Sequence, residues 1–181
     1  MKKNLFISIV AILIGGFFAS SVVADDKDHH DTLVKFKGGI GVHPVSNVSG
    51  AANPDGTFPN VTRNIVRGIN PAGQVWVIDK LDAKVKTNGD IRVKGKGLIL
   101  AGGNNAGRAT GQFVFATLIC EDAGFIERNT DTAGVQLTVN GDFEIDDVLT
   151  PLPAGGCASP MLLIRNASGQ TWFAVGIPDL D

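Results

Sequence analysis

From Leu33 onward, apolar and polar positions alternate with a period of two, the mark of strands that bury one face. Leu33, Lys35 and Lys37 fall on one side and Val34 and Phe36 on the other. Gly38-Gly39 interrupts this run, and Ile40 to Val45 resumes an extended segment. Ser46 to Asn60, rich in Ser, Gly, Asn and Pro, reads as a loop. Gln112 to Cys120 is nearly all apolar, which suits a central strand covered on both faces, and Met161 to Arg165 turns into Thr171 to Ile177. No stretch carries the period of an amphipathic helix, so about nine short strands are predicted.

The turns sharpen that prediction. Pro71-Ala72-Gly73, Thr87-Asn88-Gly89, Val139-Asn140-Gly141 and Ala167-Ser168-Gly169 each end on a glycine between alternating flanks. A three-residue hairpin loop needs a left-handed residue at its third position, which glycine supplies without a Cβ penalty. For Thr87 to Gly89, register can be tested by character. Val85 then opposes Ile91 and Ala83 opposes Val93, while Lys86 faces Asp90, Lys84 faces Arg92 and Asp82 faces Lys94. A two-residue loop scrambles both faces. The same arithmetic at Val139 to Gly141 sets Leu137 opposite Phe143 and Val135 opposite Ile145. Asn70 to Trp76 also echoes Asn166 to Trp172, placing each Trp three residues after its turn glycine. Core packing is the plainer expectation for both rings, a repeated ligand-stacking position the sharper one.

Composition adds a location. Lys2 and Lys3, the apolar run Leu5 to Phe18 and the small residues through Ala24 form a secretory leader, residues 1–24, too short for a comfortable membrane span. A polar, disordered lead-in is expected over 25–32 and one domain over 33–181. Lys2 and Lys3 leave with the leader, so the mature balance is −4 rather than the whole chain's −2. That mild acidity argues against a general nucleic-acid or anionic-membrane binder, which needs a net basic footprint. No later apolar stretch spans a bilayer. The protein is therefore expected to be exported, periplasmic or extracellular.

In that compartment Cys120 and Cys157, 37 positions apart, are expected to pair. Metal candidates are His29 and His30 in the lead-in and the alternating carboxylates Asp142, Glu144 and Asp146, although a solvated tail and a solvated acidic face are the plainer readings. No cofactor motif appears. The glycine-rich stretch Ala101 to Gly111 lacks the Gly-Lys-Ser/Thr ending of a phosphate cradle and reads as a connection, or as the rim of a binding surface. His43 has no nucleophile elbow beside it in sequence. Lys84, Arg92 and Lys94 on one hairpin and Asp142, Glu144 and Asp146 on another form complementary charge sets. These suggest self-association or partner docking, against the plainer expectation of two solvated faces.

Val66 to Gly73, Val93 to Asn104 and Leu162 to Asn166 resemble a group of uncharacterised exported bacterial proteins, a likeness that covers most of the chain after Ile65 and implies no activity. Asn140-Gly141-Asp142-Phe143, leading to Leu152-Pro153, is similar to hairpins of prealbumin-like surface domains.

These readings converge on an all-β fold, a Greek-key β-sandwich of about nine antiparallel strands, with a small closed β-barrel as the alternative. The function expected is a non-enzymatic binding or surface-interaction module for an unknown protein or small ligand. A secreted hydrolase-type enzyme with a carboxylate/His site and a small-ligand carrier with an apolar cavity are the alternatives.

Overall fold

The computed structural model describes residues 31–122 and 124–180. Residues 1–30, with the expected leader, His29 and His30, lie outside the described residues. Among the described residues, thirteen strands and no helix follow in order: β1 (Thr32–Gly41), β2 (Val45–Ser49), β3 (Asn60–Arg63), β4 (Trp76–Val77), β5 (Lys80–Lys86), β6 (Asp90–Lys96), β7 (Ile99–Leu100), β8 (Phe113–Glu121), β9 (Phe125–Asn129), β10 (Val135–Gln136), β11 (Phe143–Val148), β12 (Met161–Asn166) and β13 (Trp172–Asp179). Among the described residues no helix is long and apolar enough to cross a membrane.

Nine of these strands form one antiparallel sheet in the order β10-β8-β12-β13-β1-β5-β6-β11, with β9 on the free length of β8. The sheet curls until its ends meet. β10 packs against β11, and Asn129 at the end of β9 exchanges two 2.8 Å backbone hydrogen bonds with Thr150, just past β11. The all-β expectation holds, in a curled sheet compatible with either a sandwich or a barrel-like body. Its interior is filled by Phe36, Leu81, Ile91, Leu118, Leu162 and Ile164, each 2% exposed or less. Each such side chain contributes roughly 1.5–3 kcal/mol of transfer free energy.

The Thr87 to Gly89 hairpin has the predicted register, with Val85 opposite Ile91, Ala83 opposite Val93 and Lys84 opposite Arg92. Gly89 takes a φ of +91°. The other turns differ. At Val139 to Gly141 the loop closes as expected, Gly141 at φ +81°, but β11 pairs with β6 and β10 with β8, so Leu137 and Phe143 are not ladder partners. Both are still buried, with β10 lying against β11 although the two are not ladder partners. At the β12–β13 turn the left-handed residue is Gln170, φ +52°, and not Gly169. There Asn166 accepts hydrogen bonds from Ser168 Oγ and from the Gly169 amide, a side-chain turn that moves the unusual φ one residue on. Pro71 to Gly73 is not a hairpin at all. It runs parallel to β13, with Ala72 N donating to Trp172 O and Trp172 N donating to Asn70 O.

Ser46 to Asn60 also departs from its reading as a loop, because its two ends pair as the β2–β3 ribbon. Every residue of that ribbon is exposed, so no buried face imposes the alternation by which a strand is recognised.

Candidate functional site

Cys120, at the end of β8, bonds to Cys157 in the loop before β12, with 4.9 Å between their Cα atoms. The bond fastens that loop to the central strand, and Glu121 N adds a 2.8 Å hydrogen bond to Ala158 O.

The outward faces of β1, β5, β6 and β11 form an open groove of about 1070 Å³. Its charged side chains follow from the strand period: with Phe36, Ala83, Val93 and Ile145 facing the core, alternate positions must face water. Antiparallel register lines these positions up across the sheet. One row runs Asp179, Lys35, Lys84, Arg92, Asp146, and the next runs Lys37, Asp82, Lys94, Glu144. The two hairpins whose charges suggested complementary docking surfaces are thus neighbours within one sheet. Arg92 pairs with Asp146, its Nε donating over 3.1 Å, and Lys94 meets Glu144 at 3.2 Å. Hydrogen bonding to Asp146, then its charge, holds the Arg92 guanidinium above its ordinary pKa.

The three acidic metal candidates are accounted for in the same way. Asp142 Oδ1 accepts a hydrogen bond from Gly97 N at 3.1 Å, while Glu144 and Asp146 face their cations. Among the described residues no group of three or more His, Cys, Asp and Glu side chains is placed to hold a metal ion.

Because the Arg92–Asp146 pair is 61% exposed on both sides, Arg92→Ala is expected to lower the melting temperature only slightly at low ionic strength. In concentrated salt, melting curves of the variant and the parent are expected to coincide.

His43 sits exposed between β1 and β2, where its carbonyl accepts from Asn64 Nδ2 at 3.1 Å, and it lines neither this groove nor the second one. The Asp122 carboxylate is engaged by the buried Arg128 guanidinium at 2.7 Å. Both tryptophans are core residues: Trp76 stacks on Phe173 with centroids 4.1 Å apart, and Trp172 Nε1 donates to Asn64 O.

Sequence reasoning missed the part played by β1. Lys35 and Lys37 were read only as one side of an alternating run, because nothing local says that β1 lies between β13 and β5. No family model, curated protein or solved structure matches this chain.

Proposed function

We propose that the chain is an exported, non-enzymatic binding module whose ligand is an acidic polysaccharide laid across the outward face of β1, β5 and β6. The observation that carries this reading is the row Lys35, Lys84, Arg92, three cations at directly opposed positions on three adjacent strands. Like charges so placed destabilise a sheet, and a bound anion reverses the sign of that interaction. Asp179 and Asp146 close the row at either end.

The direction of the row favours a polysaccharide over a peptide. Cations recur at the strand spacing, about 4.8 Å, closer together than the roughly 6.7 Å between same-face side chains of an extended peptide. The hydrolase alternative draws no support from His43, which stands apart from this groove, and the carrier alternative draws none from an interior occupied by side chains.

The test is retention of the protein on immobilised polygalacturonate, with polyglutamate and neutral dextran as comparisons. The parent is expected to bind polygalacturonate best and to be released by salt. Lys35→Glu/Lys84→Glu is expected to weaken binding roughly tenfold or more, given ~1.5–3 kcal/mol for a charge-assisted hydrogen bond. Equal retention of the variant, or preference for polyglutamate, overturns the reading.

A further inference from the structure

A second groove, of about 390 Å³, opens elsewhere on the molecule and has a different chemistry. It lies where the two echoing segments come side by side. Gln74 and Trp76 enter from one of them, Asn166 and Thr171 from the other, and Asn105 and Thr110 of the glycine-rich stretch supply the rim. No charged side chain lines it. The polar groups are amides and hydroxyls, and an amide carries a donor and an acceptor together, the combination that matches neighbouring hydroxyls on a sugar.

Two of the amides, those of Asn166 and Gln112, are held in place by the protein. Asn166 is 5% exposed, and its Oδ1 accepts from both Ser168 Oγ and Gly169 N. Its Nδ2 donates to Gln112 Oε1 at 2.5 Å, which turns the Gln112 amide nitrogen toward Thr110 Oγ1, 3.4 Å away. Thr110 has a φ of +55°, a conformation uncommon for a β-branched residue. The stacked pair Trp76 and Phe173 forms the apolar floor. Trp172 Nε1 donates to Asn64 O, and Trp172 does not line this groove.

We infer that this groove is a binding site for a neutral, hydroxyl-rich ligand, a short uncharged saccharide, held by the amides of Gln74, Asn105 and Gln112 over the Trp76 edge. Its volume falls in the range of small-ligand pockets. The site is separate from the charged groove, shares no lining residue with it, and does not depend on what that groove binds.

The experiment is calorimetric titration of the full chain, with tryptophan emission followed in parallel, using maltotriose, cellotriose and the trisaccharide of N-acetylglucosamine. At least one is expected to bind saturably, to change the emission, and to keep its affinity when salt is raised about tenfold, because no charge takes part. Gln74→Ala/Asn105→Ala alters two rim side chains outside the core and is expected to weaken that binding roughly tenfold with an unchanged melting curve. Lys35→Glu/Lys84→Glu is expected to leave it intact, which separates this site from the acidic-polysaccharide face. Failure of all three sugars to bind, strong salt dependence, or full affinity in the Gln74/Asn105 variant overturns the inference.

Discussion

Gly141→Ala is expected to destabilise the protein by roughly 3 kcal/mol or more, among the largest effects open to the addition of one methyl group. Two independent penalties combine at this position. Gly141 sits at φ +81°, where an L side chain is strained. A Cβ there also lies 2.3 Å from Leu98 O and 2.6 Å from Leu98 N, so the obstacle is backbone and has no rotamer by which to move away. Leu98 is itself fully buried and donates its N–H to Gly141 O at 3.0 Å, which locks the two turns together. Gly89→Ala is the comparison. It has a similar φ of +91°, but its Cβ meets the tip of the Leu152 side chain, which can swing aside. A smaller loss, about 1–2 kcal/mol, is expected there. Urea titration of both variants measures the difference. Equal midpoints for the two would mean that the close approach of the Gly141 turn to Leu98 is not a feature of the folded protein.

Removing the Cys120–Cys157 bond, by Cys120→Ala/Cys157→Ala or by reduction, is expected to cost about 3–4 kcal/mol, the chain-entropy value for a loop of 37 positions. For a domain of this size that corresponds to a fall in melting temperature of roughly 10 °C. The effect reaches beyond the loop between β11 and β12, because Cys120 lies near the end of β8, where Val114 to Cys120 are all buried. Thermal unfolding with and without reductant is the measurement. A melting curve indifferent to reductant in the parent protein would show that the loop is fastened by its packing alone.

How legible the fold was depends on whether each feature is local. The β5–β6 hairpin could be read to the residue because opposed side chains three residues from a turn report on each other, and Val85 with Ile91 and Lys84 with Arg92 agree in character only in one register. The β2–β3 ribbon was invisible because an exposed pair of strands has no core to impose a pattern. The β12–β13 turn was located, but its left-handed residue was misassigned to Gly169, since the Asn166 side chain substitutes for the glycine device. Pro71 to Gly73 was read as a hairpin because its composition is that of a turn. The parallel path beside β13 is a contact between residues a hundred positions apart.

The candidate sites divide in the same way. That Lys84, Arg92 and Lys94 share a face, and that Glu144 and Asp146 share another, follows from the period of a strand and nothing else. That the two faces are one face is a matter of strand order. β11 lies against β6, and their charges meet as pairs within one molecule. Strand order likewise brings Lys35 beside Lys84, and the crossing of distant segments gathers Gln74, Asn105 and Asn166 around one groove.

Alternation, turn glycines and a pair of cysteines by themselves determined an all-β body, the inward face of most strands, and one register to the residue. Those are consequences of backbone geometry over a few neighbouring residues. Which strands lie side by side, and therefore which charges pair and which amides converge, was decided only by the tertiary structure. The curl of the sheet and the order of its strands are set by how the whole apolar interior packs at once, a condition that no local stretch of chain expresses.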